Sequence, residues 1–172
     1  AFYAFSLTGS ATITDTVSTA DGNAFSIADA QGSLTFKNCV ATSAGSAGLY
    51  VSTMAAADIT VRGGTFTASS GKAIQFAPAV DAASSVAIDS AHLIGTNGLS
   101  FLGAISGPVT VSGSVLQSTG TGAFFFTIAA PVSIANTAVS SDGTALSFPD
   151  VQSKLTLRDV VATSSTAAAF DV

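Results

Sequence analysis

The sequence has no tryptophan and no glutamate, one cysteine, one histidine, one methionine and four prolines in 172 residues. Cys39 has no second cysteine to pair with, which excludes a disulfide-stapled scaffold. Charged residues make up 9% of the chain, against ~25% in ordinary soluble domains. The surface must therefore be built from Ser, Thr, Ala, Gly and Asn. Five basic residues (Lys37, Arg62, Lys72, Lys154, Arg158) are scattered through a chain of net charge −5. Phosphate binding needs clustered Lys and Arg, so no nucleic-acid partner is expected. Apolar runs are short and interrupted, which excludes a transmembrane helix and, with it, insertion into a membrane. The chain begins at Ala1, with no Met and no leader, and reads as a processed protein or a fragment.

What is present is apolar and periodic. Nearly half of the residues (48%) are hydrophobic, enough for a sizeable core. Glu, Lys and Leu favour helices, whereas Thr and Val favour strands, so this usage points to β structure. An apolar–Thr–apolar triplet recurs as Ala11-Thr12-Ile13, Leu34-Thr35-Phe36, Ile59-Thr60-Val61, Val86-Ala87-Ile88, Val109-Thr110-Val111, Val132-Ser133-Ile134 and Leu155-Thr156-Leu157. Its central residues are spaced 23, 25, 27, 23, 23 and 23 apart. Alternation within each triplet has the two-residue period of a strand. A second triplet follows in each repeat: Phe25-Ser26-Ile27, Leu49-Tyr50-Val51, Ile74-Gln75-Phe76, Leu99-Ser100-Phe101, Phe124-Phe125-Phe126, Leu146-Ser147-Phe148 and Phe170-Asp171-Val172. Between them lies a shorter apolar patch, containing Val40, Phe66, Leu93, Val115-Leu116 or Val139.

A repeat of this size with three short strands cannot bury its own apolar face, but stacked repeats can. The expected fold is all-β: one single-stranded right-handed parallel β-helix spanning residues 1–172, with about seven rungs of 23–27 residues and three strands per rung. An antiparallel sandwich is the alternative, and it predicts hairpins without a columnar repeat. Stacking predicts an inward column of Ile13, Phe36, Val61, Ile88, Val111, Ile134 and Leu157. It also predicts an aromatic ladder of Phe76, Phe101, Phe126 and Phe148, and an inward Val40 behind a buried Cys39. Asn38, Gly63, Ser90, Gly113, Asn136 and Asp159 follow the first strand, where a sharp corner needs residues that tolerate the left-handed conformation.

The pattern apolar–Thr–apolar–x–Asn/Gly, followed by Gly–x–apolar–x–apolar, resembles the parallel β-helix repeat of the pectate-lyase-like superfamily, from about Ala4 to Val172. The resemblance implies the fold. Its members include polysaccharide lyases and hydrolases, phage tailspikes, surface adhesins and ice-binding relatives, and fold does not choose among them. The hydrolase motifs of the family are absent, so no catalytic residue is carried over.

The residues themselves give no catalytic set. A lyase of this type needs clustered carboxylates for Ca²⁺ and a nearby base. The outward column Thr14, Lys37, Arg62, Asp89, Ser112, Ala135, Arg158 holds one acid. A glycosidase needs two facing carboxylates, whereas the Asp residues are dispersed through turns. His92 has no recognisable ligand or triad partners. The expectation is a protein that is not an enzyme and takes no cofactor or metal. Thr12, Thr35, Thr60, Thr110 and Thr156 form one outward threonine column, but its neighbour carries charges, where an ice face would want a second such column.

The ends carry the functional expectation. No amphipathic capping helix precedes the first repeat. Tyr3-Ala4-Phe5-Ser6-Leu7 matches Asn23-Ala24-Phe25-Ser26-Ile27, and Ala169-Phe170-Asp171-Val172 matches the same strand. Open rungs of equal phase suit head-to-tail self-association, a non-closing contact that yields a filament. The expected junction residues are Phe2, Tyr3, Phe5, Leu7, Ile13, Leu155, Leu157, Phe170 and Val172. Tyr50 and Phe125 are expected to point outward as lateral or glycan contacts. The functional expectation is thus a secreted, extracellular structural filament at the cell surface. The alternatives are a fragment of an adhesin or passenger domain, or a polysaccharide-binding or polysaccharide-degrading β-helix.

Overall fold

The computed structural model describes residues 1–77 and 79–172. Every pairing between strands is parallel, and each strand pairs with its equivalents one repeat earlier and one repeat later. The result is an all-β parallel solenoid of about seven turns with three sheets, without a helix among the described residues.

Each turn visits the sheets in a fixed order. The first sheet holds the Thr-centred triplets at seven levels: Leu7–Thr8 with Ala11–Thr14, then Ala30–Lys37, Met54–Arg62, Ser85–Asp89, Val109–Ser112, Val132–Ala135 and Leu155–Arg158. The second sheet is Val17–Ala20, Val40–Ser43, Thr65–Ala68, His92–Gly95, Val115–Ser118, Ala138–Ser141 and Val161–Ser164. The third is Phe2–Ala4, Phe25–Ile27, Ala47–Val51, Lys72–Phe76, Asn97–Ile105, Ala123–Ile128, Leu146–Ser147 and Phe170–Asp171.

The core is a set of like-on-like columns. Phe36, Val61, Ile88, Val111 and Ile134 are buried on the first sheet, as the triplet spacing predicts. On the second sheet Ala41, Phe66, Leu93, Leu116 and Val139 are buried. Val40 is 39% exposed: it lies on the outer side, and its neighbours Cys39 and Ala41 fill the core. The left-handed corner at Asn38 turns the chain so that Cys39 already points inward, which reverses the parity expected for Val40.

The aromatic ladder exists with one member changed. Phe76, Phe101, Phe125 and Phe148 stack at centroid distances of 4.8, 5.2 and 5.3 Å with interplanar angles of 7°, 19° and 26°. Those distances approach the ~4.8 Å strand separation, so stacking the rungs also stacks the rings. Phe126, expected inside, is 51% exposed, and Phe125, expected outside, is fully buried. Ala123, not Phe124, pairs with Leu99. A glycine fixes this alignment. A Cβ on Gly98 would lie 2.7 Å from the Gly122 carbonyl oxygen, and one on Gly122 would collide with Val139 and the Ala145 carbonyl. Gly122 therefore has to sit directly above Gly98, and the three phenylalanines follow from it.

The corner after the first sheet behaves as expected. Asp15, Asn38, Gly63, Ser90, Gly113, Asn136 and Asp159 all have φ between 48° and 63°. Asn38 donates from Nδ2 to Asp15 Oδ1 at 3.2 Å, one level below. Departures from the 23-residue period are absorbed locally. The first sheet shifts register between Ala30 and Gly32, opposite a segment where Ala56 takes φ 51°. The longest repeat carries the Asp81–Ser84 turn. Asp81 Oδ1 accepts from the Ala83 amide at 3.0 Å, and Oδ2 accepts from the Ala56 amide at 3.2 Å.

Candidate functional site: the two end rungs

Within the stack every inward column is covered above and below. At the two ends it is covered on one side only. Phe2, Ala4, Leu7, Ala11 and Ile13 at one end, and Leu155, Val160 and Ala162 at the other, pack against the core while remaining partly exposed. Beyond them Leu157 is 37% exposed, Phe170 45% and Val172 80%. These side chains are apolar because the repeat makes them so, and no rung among the described residues lies over them.

The structure corrects the expected first strand. Phe2, Tyr3 and Ala4 pair with Phe25, Ser26 and Ile27, three residues earlier than the sequence match suggested. The 23-residue period persists through this strand, and the similar-looking Phe5 and Leu7 fall outside it. Phe5 is 78% exposed in the connection, its ring edge-on to Tyr3 at 4.9 Å. Leu7 opens the next sheet, paired with Ala30. Of the nine expected junction residues, Phe2, Leu7, Ile13, Leu155, Leu157 and Phe170 lie on inward columns of the end rungs, and Val172 is largely exposed beyond them. Tyr3 and Phe5 lie on the outside.

At both ends the corner residue is an aspartate, Asp15 and Asp159. Arg158 Nε lies 3.7 Å from Asp159 Oδ2, with both side chains mostly exposed. An exposed pair of this kind contributes well under ~1 kcal/mol, but it places a positive charge at the rim of that end.

The sides of the solenoid bring no chemistry together. Lys37, Arg62 and Asp89 do occupy successive levels of one outward column, yet none makes an ion pair within 4.0 Å among the described residues. Asp89 Oδ1 instead accepts from the Ser112 hydroxyl at 2.6 Å. His92 Nε2 lies 3.2 Å from Gln117 Oε1 on the outer side of the second sheet. Among the described residues there is no cleft and no group of three or more metal-ligating side chains. Asp81 is held below the usual carboxylate range by the Ser84 hydroxyl, then by the Ala56 amide, against a smaller opposing effect of burial. Its role is to tie a loop.

One surface feature escaped the sequence reading. Phe124 and Phe126 lie side by side at 6.5 Å on the outer side of the third sheet, and Leu102 on the preceding rung is 43% exposed. Tyr50, expected to point outward, is half-buried on that sheet three levels earlier. The glycine alignment at Gly98 and Gly122 was the signal that would have moved the outward aromatic from Phe125 to its neighbours.

Comparison with protein-family models, with curated proteins and with solved structures finds no match to this chain. The fold and the chemistry of its surfaces are what bear on function.

Proposed function

We propose that this β-solenoid is a non-catalytic extracellular structural protein whose copies stack end to end into a filament. Its repeat resembles that of the pectate-lyase-like superfamily, and we place it there on that resemblance. The observation that carries the reading is the complementarity of the two end rungs. Both expose apolar side chains on the first and third sheets, Leu7, Ala11, Ile13 and Phe2 at one end and Leu155, Leu157 and Phe170 at the other, with the strands running in the same parallel direction. Stacking sets Leu155–Arg158 beside Ala11–Thr14 of the next copy and Val161–Ser164 beside Val17–Ala20. The inward pairs are then Leu157 with Ile13 and Leu155 with Ala11, as in every internal rung. Open parallel edges favour such addition, because the strand groups at an edge are unpaired.

The test is the oligomeric state of the Leu157→Asp protein beside the parent. Leu157 lies on the end face, so an Asp there buries an unpaired carboxylate in the junction but leaves the free subunit hydrated. The expected outcome is long particles from the parent and monomers from the variant, with equal circular dichroism. Equal assembly of the two, or none by the parent, would contradict the reading.

A second reading has an observation of its own. The Phe124, Phe126 and Leu102 patch offers aromatic faces on a surface poor in charge, which suits a glycan. Retardation of the parent protein in gels containing neutral or acidic polysaccharide, lost in the Phe126→Ala variant, would favour it.

A further inference from the structure

The outer face of the second sheet differs from the other two. None of the five basic and ten acidic residues lies in any of its strands, from Val17–Ala20 to Val161–Ser164. The first sheet carries Lys37, Arg62, Asp89 and Arg158 outward, and the third is broken by a register shift between Phe101 and Ala104. The second sheet keeps one register throughout. Val17, Val40, Val115 and Val161 stand exposed in one of its outward columns, and Thr42 and Thr67 belong to the other. His92, which faces Gln117 Oε1 at 3.2 Å, is the one ionisable side chain on this face. On a chain of net charge −5, this is the part of the side surface that can be covered without burying an unpaired Asp, Lys or Arg.

We infer that this face pairs side by side with the same face of a second copy. Periodicity is what selects a copy of the same chain. Levels recur every ~4.8 Å along the axis, and the two outward columns lie ~6.8 Å apart across it. A partner whose side chains recur at that spacing meets every level alike, and a second solenoid of this repeat has it by construction. The columns of one copy then settle into the furrow between the columns of the other, in the dry, interdigitated manner of parallel sheets packed ~10 Å apart. Contact of a face with itself is isologous and closes at two copies. Seven levels, four residues wide, cover ~450 Å² on each copy and ~900 Å² in total, below the ~1,200 Å² at which stable interfaces begin. Single copies therefore pair weakly, and their like net charge holds them apart at low ionic strength. The face depends on neither end rung. Each further rung, of a longer chain or of a stacked copy, would add ~120 Å² to the paired area and leave each solenoid its own width.

The pairing is tested in the Leu157→Asp background, which blocks end contacts and leaves the second sheet untouched. Three proteins are compared by sedimentation equilibrium in low salt and in sodium sulfate, which screens net charge and strengthens apolar burial. They are the background itself, Val40→Lys/Val115→Lys within it, and Thr12→Lys/Thr110→Lys within it. Both pairs of substitutions add the same two charges at outward strand positions, the first on the second sheet and the second on the first sheet. Thr42→Asp, at an exposed position of the other outward column, is a second probe of the same contact. Equal circular dichroism establishes that each is folded. The background should be monomeric in low salt and dimerise in sulfate. Val40→Lys/Val115→Lys should weaken that dimer about tenfold or more, because it buries unpaired ammonium groups. Thr12→Lys/Thr110→Lys should dimerise at least as well as the background, since it lowers the net negative charge. Equal dimerisation of all the proteins, or a loss confined to the first-sheet substitutions, would overturn the pairing. So would monomers throughout, which would leave the face to a partner of another kind. End-to-end stacking is read separately, from the parent protein, and stands or falls on its own.

Discussion

At the scale of single residues, identity is decided by columns. Phe125 is buried because Gly122 has to stand over Gly98, and the outward position therefore passes to Phe126. Two substitutions separate the alternatives. Phe125→Ala removes a ring stacked between Phe101 and Phe148, and should cost about 3–5 kcal/mol of unfolding free energy. Phe126→Ala should lie within about 0.5 kcal/mol of the parent, as surface changes do. Urea denaturation of both measures the contrast, and equal losses would contradict the register. The inward columns and the corner residues were legible in the sequence, because each rests on a period of 23 and a parity of two, whereas the burial of Cys39 was legible only from its residue type. The side of Val40 and the phenylalanine run were not. In both places consecutive residues suit either face, and only a left-handed corner or a glycine clash decides. A further residue-scale expectation concerns the proposed junction, where Asp159 would stack on Asp15 of the next copy. Like charges directly opposite are destabilising. Asn38 over Asp15 shows what a compatible pair looks like, so Asp159→Asn should speed filament growth. Unchanged or slower growth in light scattering would argue against this register.

At the scale of elements, the second sheet is the most regular, four residues per strand with unbroken register from Val17–Ala20 to Val161–Ser164. Irregularity gathers where the repeat lengthens, around Ala30–Gly32, Leu102–Gly103 and the Asp81 turn. The spacings of 25 and 27 announced the first and last of these, but nothing in a count tells how an insertion is tied down. In the longest repeat the tie is a carboxylate. Asp81 in the folded chain titrates below its ordinary value, so the bonds it accepts support the loop at and above the usual carboxylate range and are lost as pH falls through the lowered value. Amide exchange at Ala56 should therefore be slow and constant from neutral pH down to the carboxylate range. Once the intrinsic pH dependence is removed, it should quicken only under stronger acid. Loss of protection at mildly acidic pH would show that Asp81 does not hold the loop. The first strand illustrates the opposite failure of sequence reading. Tyr3 to Leu7 looks like the third-sheet strand by residue type, yet the period places Phe2–Ala4 there. Phase outranked similarity, because a strand that slips by three residues loses its backbone partners and reverses its faces.

At the scale of the whole molecule, a solenoid couples each rung only to its neighbours, so its ends differ physically from its middle. The middle is a closed set of columns, and the ends are the same columns cut open. Serine, threonine and small residues over the sides offer little to bind by charge, with net charge −5 spread through turns and corners. Apart from the Phe124, Phe126 and Leu102 patch and the outer face of the second sheet, the direction we propose for specific association is axial. A subunit of seven rungs adds ~34 Å to such a filament, at ~4.8 Å per rung. Electron microscopy with helical averaging of the concentrated parent protein therefore tests end-to-end stacking most directly. The expected result is unbranched filaments as wide as one solenoid, with an axial subunit repeat near ~34 Å and strands perpendicular to the axis. Monodisperse short rods at every concentration, or filaments built by side-to-side contacts with the end rungs left free, would contradict it.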